Sequence, residues 1–163
     1  MRYADARDKI KSGDVLAWRG TSLFARIIEH FTGSSWSHVG IVWWYAGHLW
    51  VLQSKEGSNT GIIRASAALR AAPCDWIATG AKWTPEVETA ALDWLDRPYS
   101  YAAVAEVSAG IPVSKKVQVC SLYCADVLAL AGLPIKRLGE TPAHLVNRLL
   151  QAPFNCDLSN LIL

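Results

Sequence analysis

The sequence contains few charged residues: only 18% of its 163 residues are Asp, Glu, Lys or Arg. The 16 Lys and Arg nearly balance the 14 Asp and Glu, giving a formal net charge of +2, and no segment is rich in Lys or Arg. This balance argues against a nucleic-acid-binding surface, so we expect no nucleic-acid partner. The 52% apolar content supplies a sizeable core, which excludes a generally disordered chain.

Long apolar runs are absent as well. The most apolar window, 99–113, is broken by Glu106, Ser108, Gly110 and Pro112, whereas a membrane-spanning helix needs about 20 consecutive apolar residues. The segment MRYADARDKIKSGD has no apolar stretch after its charges, which a secretory signal would have. We therefore expect a cytoplasmic protein without an integral membrane segment, although delivery by a phage or a secretion machine would leave no such mark.

Cysteine is also scarce, with four residues in all: Cys74, Cys120, Cys124 and Cys156. Because no export signal is predicted, we expect free thiols. Cys120 and Cys124 lie one turn apart on a predicted helix, with nearly parallel Cβ vectors, which is a poor geometry for a disulfide. They also lack a second Cys or His pair at zinc spacing, so we expect no metal site.

Hydrophobic patterning predicts strands and helices in separate segments. The segments HVGIVWWY (38–45) and LWVLQS (49–54) are rich in β-branched and aromatic residues and flank a short turn, which predicts a β-hairpin. Further strands are predicted at 15–18, 62–64 and 75–79, and helices at 21–31, 85–95, 101–108, 120–131 and 142–150. Segment 115–119 fits either a strand or an extended approach to the next helix. This arrangement favours an α+β class, and the length suits a single domain over residues 1–163.

Two residues lie where cysteine chemistry would need them. Cys120 opens a predicted helix, where unpaired N–H groups and the helix dipole favour a thiolate, and His38 opens a strand from which its imidazole could take the thiol proton. Gln53 lies on the return strand of the same hairpin, so we expect it to approach His38 and orient the ring. Cys124 lies one turn deeper, where apolar burial raises a thiol pKa, so Cys120 is the expected reactive thiol. The same pattern also suits a half-buried histidine and a small core cysteine, and spacing alone does not separate these interpretations.

Five motifs in a fixed order add a family context: GDVLAWRG, SSWSHVGIVWW, LWVLQS, RPYSY and VCSLYCADVLALAG. They resemble the circularly permuted branch of the NlpC-type papain-like superfamily. That branch includes YiiX/YebB-like cysteine hydrolases and, more distantly, lecithin–retinol acyltransferase-like enzymes. The match runs from Gly13 to about Gly132. It implies a permuted papain-like fold, with a small antiparallel, barrel-like sheet and helices packed on one side.

The resemblance also implies roles for three residues. Cys120 matches the nucleophile, His38 the general base, and Gln53 the polar residue that orients the imidazole, where relatives often have Glu. Glutamine can accept the imidazole N–H but offers no negative charge. Glu56 is a rival orienting residue, although its Lys-Glu-Gly context favours a solvated turn. Relatives often continue the Cys-Ser pair with Glu, whereas this chain has Leu122.

The implied activity is that of a cysteine peptidase or amidase with a thioester acyl-enzyme and no cofactor. Its substrate could be a peptide, a peptidoglycan-type amide or a lipid acyl group. The alternatives are an acyltransferase or phospholipase in the same fold, and a non-catalytic phage or virion module. Among the 8 Trp residues, Trp18 and Trp36 lie on loops or strand ends and, with Tyr99, are candidates to line a substrate cleft.

Overall fold

The computed structural model describes residues 1–20, 34–109, 111–114, 116–135, 141–151 and 156–162. Its strands are β1 (Val15–Trp18), β2 (His38–Tyr45), β3 (His48–Ser54), β4 (Thr60–Arg64), β5 (Cys74–Ala78) and β6 (Asp157–Leu161). They form one antiparallel sheet in the order β4-β3-β2-β1-β5-β6. β2 and β3 form the predicted hairpin. Ala46 and Gly47 at its turn both have positive φ, 49° and 74°, as a two-residue type I′ turn requires.

Helices cover both faces of this sheet. Those in the described residues are α1 (Tyr3–Ala6), α2 (Ala65–Ala71), α3 (Pro85–Asp93), α4 (Tyr101–Ser108), α5 (Cys120–Leu130) and α6 (Pro142–Leu150). α1 and α2 lie on one face, where Leu69 and Leu16 share a buried cluster. α3, α5 and α6 lie on the other face, where Cys124 and Ile41 share a second cluster. α4 packs beside the start of α5.

This architecture confirms the predicted α+β class, but two finer expectations are wrong. The described edge strands, β4 and β6, do not pair with each other, so the sheet is not a barrel. Apolar side chains are buried on both faces of the sheet, so the helices do not pack on one side alone. A barrel turns one face inward around a closed interior, whereas here each face has its own helical layer and the sheet stays open.

Most predicted elements are confirmed within a few residues. Strands 15–18 and 38–45 and helix 101–108 coincide with β1, β2 and α4. Segment 115–119 is extended near its end, with one bridge between Gln118 and Tyr99. The helix predicted at 21–31 lies outside the described residues, and α1, α2 and β6 were not predicted. Within the described ranges, no helix is long and apolar enough to cross a bilayer.

A buried carboxylate fixes the turn into β1. Asp14 is 4% exposed and accepts hydrogen bonds from the backbone N–H groups of Lys11 and Thr79 at 2.9 and 3.1 Å. The Trp76 indole donates a third at 2.9 Å. Burial raises the pKa of Asp14, and these hydrogen bonds oppose the rise. The Gly-Asp motif therefore ties β1 to β5, which is a structural role.

Candidate active site

The candidate site lies where the ladder between β2 and β3 ends. The last paired residues there are Ile41 and Leu52. The N–H of Val42 donates to Asp14 O at 2.8 Å, so even-numbered residues of β2 bond towards β1 and odd-numbered residues face β3. The N–H of Val39 therefore points to the β3 side of β2, just beyond the last paired residues.

The start of α5 brings Cys120 to this end of the ladder. The N-cap residue, Val119, offers no capping side chain, so the N–H groups of the first turn have no side-chain partner at the cap. The backbone N–H groups of Val39, Ser121 and Cys120 itself lower the pKa of the Cys120 thiol, so they lie near its sulfur. Because Val39 follows His38, the sulfur lies near the backbone at the start of β2. The predicted nucleophile is therefore close to the start of the strand that carries the predicted base.

The side chains of His38 and Gln53 are in contact. His38 Nε2 and Gln53 Oε1 are 2.6 Å apart, which confirms the predicted approach across the hairpin. Because the amide oxygen can only accept, Nε2 is the donor and Nδ1 keeps a free lone pair. The ring of Trp18 lies against the imidazole, with 5.5 Å between ring centroids. The orientation of His38 is therefore fixed by one hydrogen bond and one ring contact.

Gly40 allows the contact between these two side chains. Gly40 and Gln53 lie one residue beyond the last pair of the hairpin ladder, Ile41 and Leu52. A Cβ on Gly40 would lie 2.5 Å from Val51 Cγ1 and 3.4 Å from Gln53 Cβ. Because Gly40 has no side chain, β3 lies close to β2 and Gln53 reaches diagonally to His38. This role was not predicted, although glycine inside a strand pattern signals a close approach.

Burial sets the protonation states of the site. It raises the pKa of the Cys120 thiol to about 11, against the lowering effect of the backbone N–H hydrogen bonds. Burial also lowers the pKa of His38, although the hydrogen bond with Gln53 acts in the opposite direction. Near neutral pH the resting site therefore holds a neutral thiol and a neutral imidazole. The N–H groups at the start of α5 lower the pKa of Cys120, as expected, but desolvation outweighs them, so the resting thiol stays protonated.

Cys124 lies deeper than Cys120 in the same helix. Cys124 is 0% exposed and Cys120 is 4% exposed. Burial raises the pKa of Cys124 well above its usual value, and the neighbouring Cys120 raises it further. The four cysteines of the chain are unbonded in this structure. Cys120 is therefore the more accessible thiol of the pair, as the sequence predicted.

A small cavity opens beside Cys120. Its lining residues are Tyr99, Val104, Val107, Val119, Cys120, Ser121, Thr141 and Pro142. Tyr99, a predicted cleft residue, is part of this wall, and burial raises its pKa, with added effects of Cys120 and Glu56. Glu56 is exposed in a turn, and Gln53 rather than Glu56 contacts His38. Sequence patterns did not predict the α4 and α6 parts of the wall, because these helices reach Cys120 only through the tertiary fold.

The two tryptophans predicted to line the cleft differ in their surroundings. Trp18 is 7% exposed and packs with the cluster beneath α1 and α2, so it supports the His38 ring rather than lining an open cleft. Trp36 is half-buried and packs against the cluster that contains Cys120. Its Nε1 donates to Asp75 Oδ2 at 2.8 Å, and Arg19 pairs with the same oxygen at 2.7 Å. Trp36 is therefore fixed on the Cys120 face of the sheet.

The fold is similar to that of a solved bacterial protein, the metalloprotein yiiX from Escherichia coli O157:H7. The TM-score is 0.65 and the sequence identity is 13%, with 92% of this chain and 95% of that chain covered. No protein-family model matches the sequence, and no curated protein matches it. The likeness is one of fold. It agrees with the YiiX-like part of the resemblance and leaves the activity to be argued from the site.

The donor set at the site does not suit a metal ion. Across the part of the chain that the structure describes, no three His, Cys, Asp or Glu side chains gather in one place. A structural zinc site uses four such ligands and a catalytic site uses three. Cys120 and His38 supply one thiol and one imidazole, and Gln53 adds only an uncharged amide. We therefore derive no step that involves a metal.

Proposed function

We propose that this protein is a cysteine hydrolase of peptidase or amidase type, which cleaves an amide or ester bond through a thioester acyl-enzyme. The observation that carries the proposal is the position of Cys120 at the start of α5, near the N–H of Val39 and so one residue from His38, whose ring contacts Gln53. This chemistry needs a thiol, an imidazole and a side chain that orients the imidazole. The likeness to yiiX supports the fold only.

The first half of the proposed reaction forms the acyl-enzyme. Gln53 Oε1 holds the Nε2–H of His38, so Nδ1 presents the lone pair that takes the thiol proton. The Cys120 sulfur bonds to the substrate carbonyl carbon as this proton leaves. Because both groups are neutral at rest, the proton moves during the attack rather than before it. Backbone N–H groups at the start of α5 stabilise the negative oxygen that forms.

The second half of the reaction restores the enzyme. The C–N or C–O bond breaks, and the leaving group takes the proton from the His38 imidazolium, which leaves a thioester on Cys120. Water then attacks the thioester carbonyl while His38 accepts the water proton. The C–S bond breaks, the sulfur regains a proton, and a carboxylic acid is released. No cofactor is consumed.

A substrate panel tests this proposal. Peptides, peptidoglycan fragments and phospholipids are incubated with the protein, and products are identified by mass spectrometry. We expect hydrolysis of at least one class, with loss of activity in Cys120→Ala and in His38→Ala. Cys124→Ala is the matched control, because it removes a thiol from the same helix, and it should keep activity. Turnover that survives in Cys120→Ala contradicts the proposal.

A lipid substrate is the second candidate, because α4 lines the cavity with apolar side chains and exposed apolar side chains lie on and after this helix. Tyr101 and Ile111 are 52% and 50% exposed, while Val104 and Val107 of α4 line the cavity. An acyltransferase or phospholipase in this fold would place that surface against a lipid layer. Co-sedimentation with phosphatidylcholine vesicles, combined with an assay for acyl release, separates the candidates. Vesicle binding with acyl release favours the lipid enzyme, and peptide hydrolysis without vesicle binding favours the amidase.

A further inference from the structure

A short turn, 55–59, joins β3 to β4 at the edge of the candidate site. Its near end lies two residues after Gln53 on the chain. Its far end forms a bridge between Asn59 and Pro98, and Pro98 directly precedes Tyr99, which lines the cavity. The turn therefore runs from the Gln53 side of the site to the Tyr99 side.

Lys55 begins this turn on the side of His38. Counted outward from Ile41 and Leu52, the last pair of the β2–β3 ladder, His38 and Lys55 each lie three residues further along. The strands remain close there, since His38 Nε2 and Gln53 Oε1 are 2.6 Å apart. Alternate residues of an extended chain point to the same face, so we expect Lys55 to extend from the face that carries Gln53. Burial lowers the pKa of His38 most, and the positive charge of Lys55 lowers it further, as a nearby ammonium group does.

Glu56 carries the opposite charge on the other side of the turn. Burial raises the pKa of Tyr99, and the charges of Cys120 and Glu56 raise it further, so the Glu56 carboxylate lies on the Tyr99 side. Lys55 and Glu56 are both exposed, and the ion pairs found among the described residues involve other side chains. A positive charge therefore borders the site beside His38, and a negative charge borders it beside Tyr99.

The proposed reaction makes the His38 side the leaving-group side. The His38 imidazolium gives its proton to the leaving nitrogen or oxygen, so the leaving group lies against this ring. An anionic substituent on the leaving group would face the Lys55 ammonium, whereas one on the opposite side would face the Glu56 carboxylate. Charge complementarity of this kind selects among substrates. The carboxylate of a C-terminal amino acid is such a substituent, because a single carbon separates it from the leaving nitrogen.

We propose that Lys55 is a specificity residue that binds a carboxylate on the leaving group of the substrate. The inference rests on the proposed hydrolase function. It selects peptides whose last residue is the leaving group, and other amides or esters with an acidic leaving group, over substrates whose leaving group is uncharged. Because Lys55 is exposed, this attraction is modest and is screened by salt.

Two acetyl esters of the same shape test this preference. One has 5-hydroxy-2-nitrobenzoate as its leaving group, and the other has the uncharged 5-hydroxy-2-nitrobenzamide. The kcat/KM of each ester is divided by its rate of spontaneous hydrolysis, which corrects for their different chemical reactivity. We expect a preference of about two- to fivefold for the carboxylate at low salt, and its loss in about 1 M salt, where the Debye length is about 3 Å. Equal corrected rates at low salt overturn the inference.

Three variants assign the preference to Lys55. Lys55→Gln should remove it, and Lys55→Glu should reverse it, so that the benzamide ester becomes the better substrate by about two- to fivefold. Lys82→Gln is the matched control, because Lys82 is also exposed but follows the end of β5 that lies away from His38. The control should keep the preference. If Lys55→Glu keeps the wild-type preference, the inference is wrong.

Binding of the two free leaving groups separates this inference from the proposed function. NMR titration of the wild-type protein compares 5-hydroxy-2-nitrobenzoate with 5-hydroxy-2-nitrobenzamide, and it requires no reaction. Tighter binding of the benzoate that is lost in Lys55→Glu, without hydrolysis of either ester, supports the carboxylate site and contradicts the hydrolase. Ester hydrolysis that depends on Cys120, without a carboxylate preference in rate or binding, supports the hydrolase and overturns the inference.

Discussion

At the scale of single residues, burial and hydrogen bonding act in opposite directions on Cys120. Three backbone N–H groups favour the thiolate, and burial disfavours it and prevails, so the pKa rises to about 11. His38 stays neutral for the same reason, since burial lowers its pKa. The resting pair therefore differs from a site that stores a thiolate beside an imidazolium. The site therefore has to become reactive after the substrate binds, when the backbone N–H groups near Cys120 can stabilise the oxyanion that forms.

Alkylation of the resting protein should depend steeply on pH. The thiolate is the reactive form, and its fraction rises about tenfold per pH unit below the pKa, which is about 11 for Cys120. Iodoacetamide labelling, followed by peptide mapping, should be slow at neutral pH and increase throughout the alkaline range, with the adduct on Cys120. Fast labelling that is independent of pH around neutrality would mean that a thiolate is already present.

Replacing Gln53 should affect turnover less than replacing His38. Gln53→Ala removes the group that orients the ring and should lower kcat/KM by about 10- to 100-fold, whereas His38→Ala removes the base and should cost about 10³-fold or more. Gln53→Glu adds a negative charge, which raises the pKa of His38 and moves the acid limb of the pH–rate profile upwards. Steady-state kinetics over pH measure these effects. If Gln53→Glu leaves the acid limb unchanged, Gln53 does not act on His38 during the reaction.

At the scale of secondary structure, the close approach of β2 and β3 depends on Gly40. In Gly40→Ala the new methyl would lie 2.5 Å from Val51 Cγ1 and 3.3 Å from Leu52 O, so Val51 has to shift. We expect β3 to move with it and to carry Gln53 away from His38. We expect a loss of about 1–3 kcal/mol in the free energy of unfolding, together with reduced turnover. Urea denaturation and kinetics measure the two effects.

The matched control for this variant is Gly61→Ala on β4, the strand on the other side of β3. The nearest atom to a Cβ there is Asn59 O at 3.9 Å, so the methyl fits without displacement. Gly61→Ala should keep both stability and turnover within a small margin. If Gly40→Ala behaves like Gly61→Ala, the close contact does not position Gln53.

The strands and helices that were predicted correctly are those with a strong local pattern of residues. β2 and β3 are rich in β-branched and aromatic residues, and their register also predicted the contact between His38 and Gln53. α2 has no side-chain cap, and β6 is mostly exposed and forms by pairing with β5, so neither has a strong local pattern. The cavity wall could not be predicted, because α4 and the start of α6 reach Cys120 only through tertiary packing.

At the scale of the whole molecule, the buried site makes stability depend on pH at both ends of the range. The pKa of His38 is lowered from 6.5, so below pH 6.5 the unfolded chain binds the proton more readily and the free energy of unfolding falls. The pKa values of Cys120 and Cys124 are raised from 9.0, so above pH 9.0 the unfolded chain loses these protons first and stability falls again.

Urea denaturation over a pH series measures this dependence, and two variants assign it. We expect His38→Gln to flatten the decline below pH 6.5, the ordinary pKa of histidine. Cys124→Ala should flatten part of the decline above pH 9.0, the ordinary pKa of cysteine. The assignment is contradicted if His38→Gln loses as much stability as the wild type over the acid range.

The central claim is that Cys120 forms a covalent acyl-enzyme, and acid-quenched peptide mapping tests it most directly. The protein is mixed with an activated acyl ester, quenched in acid within the first turnovers, digested and analysed by mass spectrometry. The account predicts an added acyl mass on the peptide that contains Cys120, at the Cys120 sulfur, in the wild type and in Cys124→Ala, and its absence in Cys120→Ala. An adduct on Cys124, or steady turnover in Cys120→Ala, would contradict it.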